Sequence, residues 1–180
     1  ETAAELVSLL KNKQTELIER PALNEYNADP LIQIYLRNHS TAEGLDPELH
    51  WPIREEKLFQ RVFEAATAKW IQNQLKPSLQ DSEFEQWSTF QDRVHGALSE
   101  IMASHSSGSR VLISTSGGVI AMALQSVLQL PDKQVIALNW MVYNSSVTRI
   151  KYGNDKISLT QFNSLPHLER KGLKHMVTYR

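Results

Sequence analysis

Residues 110–130 read Arg-Val-Leu-Ile-Ser-Thr-Ser-Gly-Gly-Val-Ile-Ala-Met-Ala-Leu-Gln-Ser-Val-Leu-Gln-Leu. An apolar run at 111–115, of strand length, passes through a Ser/Gly turn into an amphipathic helix. A helix that opens on Ser116, Gly117 and Gly118 points bare backbone N–H groups and the positive end of its dipole outward, so it offers a site to an anion. The same glycines also read as a tight crossover, where a missing side chain lets strand and helix pack closely. A third reading takes Ser114-Thr115-Ser116-Gly117-Gly118 as a nucleophile elbow with serine in place of the first glycine. Asp132 or Asp155 and then His167 would complete the order Ser, Asp, His. The absent first glycine and the many helices upstream, which leave little room for the required sheet, weigh against it.

Around this stretch the chain has the length and composition of one globular domain. It has 180 residues, 41% hydrophobic and 22% charged, enough for a real core and too ordinary for a repeat array or a disordered tail. Nineteen basic against twenty acidic residues leave a net charge of -1, so no global field points to nucleic acid or an anionic membrane, and any phosphate recognition has to be local. The absence of cysteine excludes disulfides, thiolate metal sites and a cysteine nucleophile, and it fits a reducing compartment. No stretch has the apolar length of a membrane span or a signal peptide, so a cytoplasmic protein is expected.

Ala3, Leu6, Val7 and Leu10 recur at helical spacing with no cap before them, which predicts a helix over 1–14 and implies that residues before Glu1 supply its start. Pro21, Asn24, Asn27 and Asp29 interrupt the periodicity, and Asp29-Pro30 then predicts a helix start, with Leu31, Ile34, Tyr35 and Asn38 along it. Leu58, Val62, Ala65, Ala66 and Leu75 predict a helix within 53–75 that stops before Pro77. Asp81 or Ser82 is the expected cap of a long helix carrying Phe84, Trp87, Phe90, Val94, Leu98, Ile101 and Met102, with Glu83 and Glu85 in its first turn. Pro131-Asp132 predicts a short helical turn, and 138–143 is expected to be extended. Residues 147–152 and 157–162 alternate around Gly-Asn-Asp-Lys as a hairpin does. This order predicts a helix-covered, mostly parallel sheet with an antiparallel edge, and a ligand beyond the carboxyl end of 111–115.

The remaining chemistry-bearing residues give weaker signals. His39, His50, His95, His105 and His175 have no metal-ligand spacing with carboxylates, and Trp51, Trp70, Trp87 and Trp140 read as core and interface volume. No metal or cofactor is expected.

The segment Val-Leu-Ile-Ser-Thr-Ser-Gly-Gly-Val-Ile resembles the second signature of the histidine phosphatase superfamily, the phosphoglycerate-mutase-like proteins, in which a hydrophobic strand ends in Ser/Thr-His-Gly-Gly. Four other stretches are similar to the family in the same order. Glu1-Thr2-Ala3-Ala4-Glu5-Leu6 looks like its Thr-Ala helix, Leu23-Asn24-Glu25 like its Leu-x-Glu, Asp81-Ser82-Glu83 through Arg93-Val94 like its Glu-Ser…Arg-Val helix, and Asn144-Ser145-Ser146-Val147-Thr148 like its Asn-x-Ser-Val-Thr. The resemblance covers nearly the whole chain, with residues 28–79 as a helical insert or cap within a single domain of 1–180.

It implies phosphoryl transfer through a phosphohistidine, with a small phosphorylated substrate or inorganic phosphate as the partner. Ser116 and the backbone of Gly117 and Gly118 would hold phosphate oxygens, and Glu25 would be the general acid. Glu25 reads equally as a solvated loop carboxylate. Asn144 and His167 are further site candidates, with His167 able to supply an imidazole from the C-terminal loop. The family's Arg-His-Gly nucleophile segment is absent from this sequence and, by the family's layout, would lie before Glu1. Ser116 stands where the family has its second histidine, a charged donor that one hydroxyl replaces poorly. The alternatives are a non-catalytic phosphate-binding or partner-binding module of the same fold and, further off, a serine hydrolase using Ser116.

Overall fold

The computed structural model describes residues 2–9, 16–39, 44–46, 48–153 and 156–179. Helix α1 spans Thr2–Leu9, so the first part of the expected N-terminal helix is present and 10–15 lie outside the described residues. A 3₁₀ turn at Pro21–Leu23 follows, and α2 spans Ala28–His39. Asn27 rather than Asp29 caps α2, its Oδ1 accepting the Asp29 N–H at 3.1 Å. Leu31, Ile32, Ile34, Tyr35 and Leu36 are buried along it.

Helix α3, Glu56–Ile71, buries Val62, Phe63, Ala66 and Trp70. It ends where Asn73 turns left-handed at φ 55° and the Gln74 N–H reaches back to the Lys69 carbonyl at 2.8 Å, a common helix stop. The long helix α4 covers Trp87–Ser104, starting five to six residues after the expected Asp81 or Ser82 cap. The reason is that Asp81 spends its carboxylate elsewhere: Oδ2 accepts the Ser78 N–H at 2.6 Å and pairs with Arg37 at 2.6 Å, which holds 78–81 in a turn. Trp87, Phe90, Val94, Ala97, Leu98 and Ile101 then form the buried stripe of α4 at helical spacing. Tyr26, Trp70, Trp87 and Phe90 meet at the centre of the core, with ring centroids 4.8 Å apart for Tyr26–Trp70, 5.3 Å for Tyr26–Phe90 and 5.0 Å for Trp70–Trp87.

Helix α5, Gly117–Leu128, packs between α4 and α6, Asp132–Met141. Gln91 of α4, Gln125 of α5 and Asp132 of α6 form a chain of side-chain bonds at 2.8 and 2.6 Å that ties the three together. The expectation of extended chain at 138–143 is corrected here: α6 continues through Met141. Val135, Asn139 and Val142 are buried at spacings of four and three, a helical period that turns one face onto α5.

Strands β1, Val147–Gly153, and β2, Lys156–Ser164, form the expected antiparallel hairpin, with Ile150 opposite Leu159 and Tyr152 opposite Ile157. Thr148, Ile150 and Tyr152 are half-buried while Arg149 and Lys151 are exposed. The fold thus mixes helices with sheet, but among the described residues the sheet is this hairpin alone and no parallel strands are found. The run 111–115, expected as a strand, makes no ladder with another segment among the described residues. Strand identity requires a ladder of backbone hydrogen bonds with a neighbour, and among the described residues no backbone bond joins this run to another segment. Val111, Leu112 and Ile113 are accordingly 40%, 64% and 38% exposed.

Candidate functional site

The N-terminus of α5 is where the structure gathers its chemistry. Ser116 is the N-cap residue, with extended backbone and no capping bond from its own side chain. Of the first four helical amides, that of Ile120 donates to the Ser116 carbonyl at 3.0 Å and that of Gly118 donates to Glu25 Oε2 at 3.0 Å. Those of Gly117 and Val119 have no partner among the described residues, as expected of a helix start. A carboxylate on a helix N-terminus is favoured by both the orphan amide and the dipole. Glu25, half-buried, is not remote from the glycines: the structure brings Glu25 and Gly118 together across 93 positions of sequence.

Both glycines are needed for close approach rather than for an unusual φ. A Cβ on Gly117 would sit 2.7 Å from Asn139 Oδ1, and one on Gly118 would strike the Glu25 carboxylate and lie 2.9 Å from a Tyr26 ring carbon. The close-packing reading of this turn is thus seen in the structure: the glycines let a carboxylate and a buried tyrosine reach the helix end. Tyr26 is 7% exposed, and its hydroxyl accepts a bond from Asn139 Nδ2 at 3.4 Å. Asn139 Oδ1, facing Gly117, is buried with no hydrogen-bond partner among the described residues.

The loop carrying Glu25 is fastened at every carbonyl from Arg20 to Asn24. The Arg20 and Pro21 carbonyls accept the Leu23 and Asn24 N–H groups at 2.8 and 2.9 Å within the 3₁₀ turn. Arg93 Nη1, from α4, donates to the Ala22 and Asn24 carbonyls at 2.9 and 2.7 Å. Thr115 Oγ1, just before the α5 N-cap, donates to the Leu23 carbonyl at 2.7 Å. Arg93 also makes a two-pronged pair with Glu85, at 2.6 and 2.8 Å, and stacks over Phe90. Glu85 was expected in the first turn of α4 and instead precedes it, serving Arg93.

Other candidates have other partners. His167 Nε2 lies 3.3 Å from Ser145 Oγ. Asn144 Nδ2 donates to Thr178 Oγ1 and to the Tyr179 carbonyl, at 3.0 and 3.1 Å, and so pins the C-terminal segment. The Tyr179 hydroxyl bonds that of Tyr143 at 2.8 Å, which raises the Tyr179 pKa above the usual phenol value. Asp132 is bonded to Gln125, and Asp155 lies outside the described residues, so no histidine or aspartate is hydrogen-bonded to Ser116 among the described residues. A surface recess of about 460 Å³ lies at the root of the hairpin, lined by Tyr143, Asn163, Leu165, Glu169, Lys174 and Val177, none of them at the α5 N-terminus. No helix among the described residues is long and apolar enough to cross a membrane.

Sequence reasoning missed Arg93, Thr115 and Asn139 as parts of this site. Thr115 adjoins the Gly-Gly turn and was within reach of inspection. Asn139 was hidden by the reading of 138–143 as extended, and Arg93 bonds backbone carbonyls, which carry no sequence signal.

The N-terminus of α5 thus holds a carboxylate on the Gly118 amide, within a fold of helices and an antiparallel hairpin among the described residues. The histidine phosphatase superfamily (branch 1) matches residues 36–165, and the chain belongs to that superfamily. Membership supports a phosphatase-like or phosphate-binding function. The matched range includes Glu85, Arg93, Ser116, Gly117, Gly118 and Asn144, while Glu25 and His167 lie outside it. No curated protein and no solved structure matches the chain.

Proposed function

We propose that this protein hydrolyses a small phosphate ester at the N-terminus of α5. Ser116 Oγ and the amides of Gly117, Gly118 and Val119 hold the phosphate oxygens, and Glu25 delivers the proton to the leaving-group oxygen as the P–O bond breaks. The nucleophilic histidine is supplied by a segment upstream of Glu1, which would also cover the exposed face of Val111 and Ile113. Helices α2 and α3, within 28–79, act as the cap that selects the ester. The observation that carries this reading is the Gly118 N–H on the Glu25 carboxylate at 3.0 Å. One point of the fold thus already binds an anion and holds a group able to move a proton. Phosphate entering the site takes the Gly117 and Val119 amides and displaces Glu25 toward the leaving group.

Titration of inorganic phosphate into the ¹⁵N-labelled chain tests it. The amides of Gly117, Gly118 and Val119 should shift together, and Ser116→Ala should weaken the affinity. Phosphate that leaves these three amides unmoved sinks the reading. A second reading, a phosphate-binding module without turnover, is favoured by Ser116 standing in place of a charged imidazole. A panel of phosphomonoesters separates the two, since the module binds without releasing phosphate. A serine hydrolase would instead be labelled at Ser116 by a fluorophosphonate.

A further inference from the structure

Glu25 can only serve as proton donor if its loop is held, and the holding group is identifiable. The loop lies at the surface, with Pro21 and Asn24 exposed, and its own 3₁₀ turn satisfies only the Arg20 and Pro21 carbonyls. The two carbonyls that bracket Leu23, those of Ala22 and Asn24, both go to Arg93 Nη1. The Asn24 carbonyl is part of the peptide that leads into Glu25, so its direction fixes where the Glu25 side chain starts. Arg93 is itself immobilised: Nε and Nη2 are taken by the two Glu85 oxygens, and the guanidinium lies 4.8 Å from the centroid of the Phe90 ring, which is buried in the aromatic core. Four of the five guanidinium donors are therefore engaged within the protein. Glu85 also neutralises the charge, so Arg93 is not deployed as a phosphate ligand.

We propose that Arg93 is the positioning residue of this site: it transmits the rigid geometry of α4 to the 21–25 loop and so seats the Glu25 carboxylate on the Gly118 amide. Only a planar fork can meet a carboxylate on one side and two carbonyls on the other; a lysine ammonium, a point donor, meets one side or the other. The consequence for chemistry rests on the reading of Glu25 as proton donor, whereas the consequence for geometry does not.

The test has one arm for each. In the ¹⁵N-labelled chain the Gly118 amide should follow the ionisation of the Glu25 carboxyl as pH is varied, and this response should vanish in Glu25→Gln. In Arg93→Lys it should also vanish while the resonances of the Trp70 and Trp87 indoles keep their positions, which shows the core intact; Arg93→Ala is a second variant of the same test. A Gly118 amide that titrates unchanged in a folded Arg93 variant overturns the proposal whatever the protein catalyses. In the second arm, the protein carrying the full activity is assayed on an alkyl phosphate, which needs a proton donor, and on p-nitrophenyl phosphate, which does not. Arg93→Lys should lower kcat on the alkyl ester about a hundredfold, with KM and the aryl ester little changed, and Glu25→Gln should give the same split. Equal losses on both esters would reduce Arg93 to a merely structural role and overturn the proposal. A wild-type protein inert toward both esters would defeat the phosphatase reading and leave the amide titration to decide the role of Arg93.

Discussion

Two segments converge on the start of α5, and they are built in opposite ways. The 21–25 loop has no regular strand or α-helix, yet each of its carbonyls up to Asn24 is bonded and its last side chain caps Gly118. Residues 110–114 have the composition of a strand, yet among the described residues their backbone pairs with no other segment and their apolar side chains are substantially exposed. Order here follows satisfied hydrogen bonds rather than secondary-structure propensity. The site consequently has one side fixed by side chains from α4 and from Thr115, and one side that relies on α5 alone.

The largest expected effect comes from closing the gap into which the loop fits. Gly118→Ala places a methyl against Glu25 and 2.9 Å from Tyr26, whose ring is wedged between Trp70 and Phe90 and has little freedom to retreat. Overpacking of this kind costs about 1–3 kcal/mol, read as a melting temperature lower by several degrees, together with loss of the phosphate-induced amide shifts. Gly96→Ala on α4 is the matched control. Its Cβ would meet nothing within 4 Å on an exposed helix face, so the same change should stabilise by about 0.5–1 kcal/mol through helix propensity. Equal effects at the two glycines would show that Glu25 does not sit where the contact with Gly118 puts it.

How much of this was readable beforehand depends on the kind of signal. The stripes of α2 to α5 and the alternation of the hairpin are periodic, and each was legible because burial on one face imposes a period. Helix α6 was legible at its Pro131-Asp132 start but not in its extent, since its buried positions are only Val135 and the polar Asn139, too sparse to declare 3.6 rather than 2. The run at 111–115 was read from composition, which reports what a strand contains and not what it pairs with. The Gly-Gly turn was read from its own run-turn-helix pattern, whereas Glu25 was reached through family resemblance. The contact between them, and the Arg93 fork that secures it, depend on a fold that brings positions 22–25, 93 and 115–118 together, and no local pattern encodes that.

A smaller effect separates two arginine clamps among the described residues. Arg93 holds Glu85 with both side chains about one-fifth exposed, whereas in the Arg37–Asp81 pair the arginine side chain is 44% exposed. The hydrogen bond from Arg37 and then the Ser78 N–H hold the Asp81 pKa well below the usual carboxylate range. A carboxyl depressed in the folded state stabilises above its unfolded pKa of about 3.9 and loses that contribution as pH falls below it. Asp81→Asn should therefore cost about 1 kcal/mol or less at pH 7, reduced by salt screening, and should flatten the loss of stability between about pH 4 and pH 2 in urea melts. An unchanged acid limb would show that other carboxylates govern it.

The smallest effect is expected at the unpaired segment, and its smallness is the point. Leu112 is 64% exposed, so Leu112→Gln in this chain removes little buried apolar area and should change stability by no more than about 0.5 kcal/mol. The same substitution in a strand covered on both faces would forfeit the burial of a leucine, about 2 kcal/mol, and leave an amide to desolvate. Chemical denaturation of the chain distinguishes these outcomes directly. If the cost is near the larger figure, 110–114 is covered in solution and the asymmetry between the two sides of the site disappears. If it is near zero, the α5 N-terminus is held by Arg93 and Thr115 from one side only, and a partner for the exposed run becomes a separate requirement for the complete site.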